Sequence, residues 1–599
     1  MEVKRSRAYL FRTASGSNGK GDVVKLKFGI AFLLASSLLE ATESRHKPLR
    51  LAAEILSYAI EDPKYADFVR TLEPAVDEYH FRELVVHGFS TDRWLTYSAF
   101  PKIQKRVDPE SLHSYRAQLQ RFKRRGLKVT LSAAGPLVPA GFFPAYPEAK
   151  RITSGLFSKF IEASAREVFE QIPEADCLEI YFWETPLLND VDFFPGIYWA
   201  ESQKESNLTA DQYYGPADYL RDVLEAYARG TRSVGKEFMF LTFCHYPWQE
   251  RLLIEALRNT DPDLPITLDH KVQPGDWSPY RLANNVMLTV TDRKAMLLFD
   301  GTGEYWGQSL VPYCYPEEIQ QRLVHALRNN RSIEAVGMRM NWVSGHTLFG
   351  NFNEVNWYAL SRLARDPATP IEDIWRGWAE RRFGRQAAPK VISALERTRE
   401  IGNLVYYIRG IWVHDHSAFS GLRYLESHFV HYARSSMEWN PHDFRTNALL
   451  TELLERPRER SVEWVIADRR EALRLNQLSL EDVESVRQQL PESEYQKLVL
   501  QLTLQRRFIE ASIPHIESFL RYRIQKQNPS ADNLRRLEAA LAELERQAVV
   551  IEKEYAEKVP ILTAARLRAY VHELGAALQG LRPGPQPNNY PTQRVQPAP

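Results

Sequence analysis

The chain of 599 residues, 44% of them hydrophobic, has enough apolar material for more than one core and reads as a large globular protein of roughly two to four domains. Its 77 Lys and Arg residues nearly balance 76 Asp and Glu residues, so a net charge of +1 excludes the global field that draws proteins to nucleic-acid backbones or anionic membranes. The three cysteines, Cys177, Cys244 and Cys314, lie far apart with no CxxC pair, which excludes a disulfide scaffold and points to buried thiols.

In chain order, the polar "RTASGSNGKGD" near the start reads as a mobile arm, and its "GKGD" lacks the full phosphate-loop pattern. The stretch "KLKFGIAFLLASSLLEATES" (25–44) has a basic flank and an apolar run too short to span a bilayer. It suits either a buried helix of an N-terminal layer, with a cytoplasmic protein favoured, or a signal segment, with a secreted or periplasmic one. No other segment has the length and apolarity of a transmembrane helix, so no membrane partner is expected.

From about residue 81, seven β-branched and aromatic runs alternate with amphipathic helical stretches: "FRELVVHGF", "GLKVTLSAAG", "CLEIYFWE", "EFMFLTFCHY", "LPITLDHKV", "AMLLFDGTGE" and "EAVGMRMNW". With an eighth strand in "HTLFGNFN" or nearby, this alternation closes into an α/β fold, a (β/α)8 barrel with a short N-terminal helical segment and a large all-helical C-terminal domain. The expected boundaries are 1–80 for the arm and helical segment, 81–375 for the barrel, 376–580 for the helical domain and 581–599 for a disordered Pro-rich tail. In the last helix, Leu534, Leu537, Leu541, Leu544, Ala548 and Ile551 recur at alternating three and four spacing. That seam needs a partner, either another helix of the same chain or a second subunit in a homodimer.

In a (β/α)8 barrel the chemistry gathers at the C-terminal ends of the strands, where the loops surround one cavity. Those ends carry Trp183 and Glu184, then His245, then His270, Lys271 and Asp276, then Glu304 with Tyr305 and Trp306, and last Arg339, Asn341 and Trp342. A lone carboxylate at a strand end is most often a loop cap or an ion-pair partner. Three on one rim, among tryptophans, fit glycosidic bond cleavage, which needs a protonated acid on one side of the bond and an ionised base or nucleophile on the other. The chain has no HExxH, GxSxG or GxGxxG, so zinc peptidase, serine hydrolase and dinucleotide-dependent readings have no motif. His87, His245, His270 and His346 lack metal-ligand spacing, so neither a metal nor a cofactor is expected.

The segment "NFNEVNWYALSRLARDPATPIEDIWRGW" (351–378), with "HKVQPGDW" and "GEYWGQ" upstream, resembles the α-glucuronidases of glycoside hydrolase family 67. Asn356, Tyr358, Arg362, Leu363, Ala364, Pro367 and Trp378 stand at the matching positions. The resemblance implies an inverting hydrolase that removes a terminal α-linked sugar, a uronic acid in that family, from plant-type xylan fragments. It implies Asp276 and Glu304 as the carboxylates that activate water, Glu184 as the general acid, and Lys271 as a uronate contact. His270, Asn341, Arg339 and the stacking residues Trp183, Trp306 and Trp342 complete the expected oligosaccharide site. Two of the family's basic residues are replaced, with Ile180 and Thr242 at their places, so Arg339 or Arg293 is left to bind a carboxylate, or the sugar is neutral or N-acetylated. A non-catalytic carbohydrate-binding protein is the remaining class.

Overall fold

The computed structural model describes residues 47–57, 60, 66–136, 138–139, 141–150, 154–182, 216–244, 246–281, 283–342, 348–408, 410–426, 447–556 and 558–580. Eight parallel strands close a barrel: β1 (Arg50–Leu56), β2 (Glu83–His87), β3 (Lys128–Ala134), β4 (Cys177–Tyr181), β5 (Glu237–Leu241), β6 (Ile266–Lys271), β7 (Ala295–Asp300) and β8 (Ile333–Arg339). Each strand pairs with its sequence neighbours, and β8 returns to β1 with Met338 opposite Ala53 and Arg339 opposite Glu54.

The strand sought in "HTLFGNFN" is supplied instead by "RLAAEIL", so the barrel begins ahead of residue 81. Alanine and glutamate are poor strand formers, and the run reads locally as helix. Pairing on both edges overrides that preference, since burial leaves its backbone groups no partners but β2 and β8.

The connections between strands carry α1 (Ala66–Tyr79), α2 (Pro109–Arg124), α3 (Leu156–Gln171), α4 (Pro216–Arg232), α5 (Pro247–Arg258), α6 (Asn285–Thr289) and α7 (Pro316–Asn329), and α8 (Glu354–Arg365) follows β8. Leu84 and Val86, Leu178 and Ile180, and Ile266 and Leu268 point outward into one core shared with these helices. Inside the barrel, Ala52, Val85, Cys177, Met239, Met296 and Ala335, from six different strands and no helix, form a separate layer. Period-two alternation then directs Glu54, His87, Glu179 and Arg339 into the same interior, nearer the C-terminal mouth.

Beyond the barrel run α9 (Ile371–Phe383), α10 (Ala388–Tyr406), two small hairpins, then α11 (Ala448–Glu455), α12 (Glu459–Ser485), α13 (Glu492–Gln527), α14 (Ala531–Tyr555) and α15 (Ala564–Gln579). The hairpins are β9 (Tyr407–Ile408) with β10 (Ile411–Trp412), and β11 (His414–Asp415) with β12 (Ala418–Phe419). The seam on α14 finds its partners within the chain: Leu537, Leu544, Ala548 and Ile551 are buried where α14 packs against α13 and α15. All three cysteines are free and buried. Among the described residues no helix is long and apolar enough to cross a membrane.

Candidate active site

The mouth of the barrel is built around Glu304. Asp300, the last residue of β7, accepts hydrogen bonds from the Glu304 amide at 2.7 Å, the Gly303 amide at 3.1 Å and Thr302 Oγ1 at 3.0 Å. This carboxylate acts as the cap of a tight turn. Gly303 holds φ at +79° there, and the indole of Trp306 lies where a Cβ would stand, so no other residue fits. The turn directs Glu304 back over the barrel, where its Oε2 accepts from Arg339 Nη1 at 2.8 Å. Arg339 Nε donates to Glu54 Oε1 at 2.5 Å, so one buried guanidinium joins a carboxylate inside the barrel to one at its mouth. Glu304 Oε1 lies 3.4 Å from His416 Nε2.

Burial pushes Glu304 up to about 8, opposed by the charges of Arg339 and His416 and reinforced by those of Asp276 and Asp300. Asp276 is itself buried, and its charge is felt at Glu304, so two of the three predicted carboxyl groups are brought to one place. Glu54 is also desolvated, but Arg339, His87 and Lys271 outweigh burial and hold it below the usual carboxylate range. Arg339 stays charged, because its carboxylate partners offset its own burial.

Lys271 lies in a box of aromatics, its Nζ 4.1 Å from the centre of the Phe243 ring and 4.3 Å from that of Trp277. Arg339 sits 4.6 Å over Trp342, and Trp342 stacks at 5.7 Å on His416. Trp277 is tied to the hairpin beyond the barrel, its carbonyl accepting from Trp412 Nε1 at 3.1 Å and from the Tyr407 hydroxyl at 3.2 Å.

The other predicted residues fall elsewhere. His270 alternates with Asp269 and Lys271 and so lies on the outer side of β6, where its Nδ1 meets Thr242 Oγ1 at 2.9 Å. Asn284 Nδ2 donates to the same hydroxyl at 3.1 Å, which ties this pair into the wall. Burial pulls His270 down to about 3, which keeps it neutral in the wall. Trp306 is buried against Tyr313, with ring centres 4.8 Å apart, and packs beneath the loop. Asn341 closes the barrel by accepting from the Leu56 amide at 2.9 Å. Ile180 packs in the outer core, so neither it nor Thr242 could hand a contact into the barrel from where it stands. Arg293 precedes β7 at the opposite mouth, donating to Thr260 Oγ1 and the Leu264 carbonyl. Trp183 and Glu184, with His245 and His346, lie outside the described residues, as do residues 25–44 and the tail from 581.

Two site residues escaped the sequence reading. Glu54 stands alone in an apolar run, the same signal that drew attention to Glu304, but in a stretch read as helix. His416 comes from beyond the barrel, in "VHDHSAFS", and nothing local in the sequence marks it.

No family model matches the chain, and no curated protein matches it in sequence. Among solved structures, the GH138 enzyme targeting pectin rhamnogalacturonan II is similar over 92% of this chain and 87% of its own, with a TM-score of 0.55 at 13% identity. An O-GlcNAc hydrolase mutant from Thermobaculum terrenum covers 90% of this chain and 96% of its own, with a TM-score of 0.40 at 11% identity. At 13% identity the likeness to the GH138 enzyme is one of fold, here a closed (β/α)8 barrel followed by helices.

Proposed function

We propose that the chain is a glycoside hydrolase, and that Asp276 and Glu304 form the pair that activates water. The observation that carries this reading is the placement of two buried carboxyl groups at the C-terminal mouth of the barrel, one of them fixed between Arg339 and His416 among aromatic walls. Near neutral pH, Glu304 keeps its proton and hydrogen-bonds the attacking water, while Asp276 accepts the proton that the water gives up. The water oxygen bonds to the anomeric carbon as the glycosidic carbon–oxygen bond breaks, and the leaving oxygen takes a proton from the acid. Glu184 is the residue proposed for that acid, on the resemblance alone. The configuration inverts, because attack and departure occur on opposite faces.

The finer reading is release of a terminal α-linked uronic acid from a plant-type oligosaccharide. Lys271, buried to 4% exposure against Phe243 and Trp277, supports it, because a cation in so dry a box is stabilised by a carboxylate brought to it. The GH138 enzyme of similar fold targets pectin rhamnogalacturonan II, itself a carbohydrate.

The test is hydrolysis of a panel of aryl and oligosaccharide α-glycosides, uronic and neutral, by wild type and Glu304→Gln, with the product anomer read by NMR. Release of a uronic acid as the inverted anomer, lost in the variant, is the expected result. Release of a neutral sugar overturns the substrate, and the absence of turnover on every member overturns the enzyme.

A further inference from the structure

We infer that His416, delivered by the hairpin beyond the barrel, is the proton-exchanging partner of Glu304, and thus a positioning residue of the hydrolytic pair. The inference rests on the glycosidase reading for its chemistry and on geometry for the pairing.

The two oxygens of Glu304 have different cationic neighbours. Oε2 is bound by Arg339, a guanidinium that does not give up its proton. Oε1 faces the imidazole of His416, a group able to take up and release a proton. Glu304's side chain is only 6% exposed, whereas that of His416 is 43% exposed, so the imidazole is the group that stands between the buried carboxyl and water. Its plane is set by stacking against Tyr305 at 5.4 Å and 21° and against Trp342 at 5.7 Å and 18°. A ring held by stacking presents its nitrogens edge-on, as a contact with a carboxylate requires.

The backbone that carries the ring is held in an unusual conformation. His416 and Ser417 occupy the two central positions of the β11–β12 turn, with φ of 44° and 66°. Such turns prefer Asn-Gly, and non-glycine residues with positive φ persist only where surrounding contacts over-determine them. Here the hydrogen bonds to the Glu304 loop supply such contacts. Ser417 Oγ accepts from the Gly307 amide at 2.8 Å and donates to the Glu304 carbonyl at 2.8 Å, and Gln308 Nε2 donates to the His416 carbonyl at 2.5 Å. Below the turn, His414 packs against Phe419, Phe508 and His515, seating the hairpin on α13. The clamp therefore joins the residue before the catalytic turn's end to the residue bearing the imidazole.

Charged groups reach Glu304 from four elements: Arg339 of β8, Asp300 of β7, Asp276 of the loop after β6, and His416 of the hairpin. Of these, His416 alone is a titratable cation. After water has been split both carboxyls are protonated; the neutral imidazole takes the Glu304 proton from Oε1 onto Nε2 and passes a proton to solvent, and the proton on Asp276 moves to Glu304, which restores the pair with no other reactant.

The experiment is a carboxyl titration of Glu304 by isotope-edited infrared difference spectroscopy, with Glu304→Gln assigning the band. It compares wild type with His416→Asn, since asparagine tolerates positive φ and keeps the turn. The expected result is a Glu304 titration moved to higher pH in the variant, because a cation that favours the carboxylate has gone. On a turned-over glycoside, kcat should fall about tenfold to a hundredfold with KM nearly unchanged. In His416→Gly, where the missing ring leaves room, added imidazole should restore part of kcat. An unchanged Glu304 titration overturns the inference. Because the spectroscopic readout needs no substrate, a shifted titration in a protein that hydrolyses nothing supports the pairing and overturns the glycosidase reading instead.

Discussion

Arg339 is the residue on which the site's electrostatics turn. It is 4% exposed and bonded to Glu54 and Glu304 at once, so its removal leaves Glu54 charged, buried and without its main counter-ion. Arg339→Met should lower unfolding free energy by about 3–5 kcal/mol, read as a fall in the urea midpoint, because breaking a buried pair costs far more than the pair contributes. Glu304 makes a second prediction. Its carboxyl, pushed up to about 8, is the protonated partner in the proposed reaction, so kcat should have an alkaline limb near pH 8 as that proton is lost. A rate that stays level to pH 10 would remove the Glu304 proton from the reaction. Glu304's placement at a strand mouth was legible from the residues around it. Its cationic partners were not, since Arg339 was visible only as one charge among several and His416 lies in a different part of the chain.

At the scale of elements, the segment that carried the family resemblance turns out to support the Glu304 loop. Asn353, just before α8, has its Oδ1 accepting from the Tyr313 amide at 2.7 Å. Asn356, within α8, accepts from the Tyr315 amide at 2.8 Å and donates to the Tyr313 carbonyl at 2.9 Å. These two side chains replace strand partners for the chain that leaves the Glu304 turn, and the Tyr315 hydroxyl then donates to the Asp300 carbonyl at 2.7 Å. Asn356→Ala strands a buried amide and carbonyl, and should cost about 1–3 kcal/mol in thermal or urea unfolding. It should also lower kcat, since the loop that aims Glu304 loses its anchor. The motif was recognisable in sequence, but its work was not, because hydrogen bonds spanning some forty residues leave no local pattern.

Over the whole molecule, the interior of the barrel holds more carboxyl groups than cations can neutralise. Glu179 and Asp269 are fully buried and near each other. Burial first, and then their mutual charge and that of Glu54 and Glu83, drives Asp269 far up, and burial carries Glu179 from 4.5 to about 8. A carboxyl raised in the folded state binds its proton more tightly there than when unfolded. The contribution of these carboxyls to stability is therefore full below the ordinary carboxylate range and is lost as pH rises from about 4.5 to about 8, with Glu304 adding in the same direction. Glu179→Gln should flatten that decline and raise the urea midpoint at pH 8 above that of wild type, while leaving it nearly unchanged at pH 5.

What the sequence determined by itself is the repeating part of the structure: strand and helix periods set by burial of one face, the closed barrel they imply, and the mouth at which Asp276 and Glu304 meet. These are local or periodic properties, written into residues a few positions apart. Tertiary structure decided the rest. It made a strand of the Ala-rich "RLAAEIL" because the barrel needed a neighbour for both β8 and β2, turned His270 outward by strand alternation, and gave the α14 seam its partners within the chain. It also brought His416 to Glu304 across more than a hundred residues, a contact that exists only because a hairpin beyond the barrel folds back over its mouth.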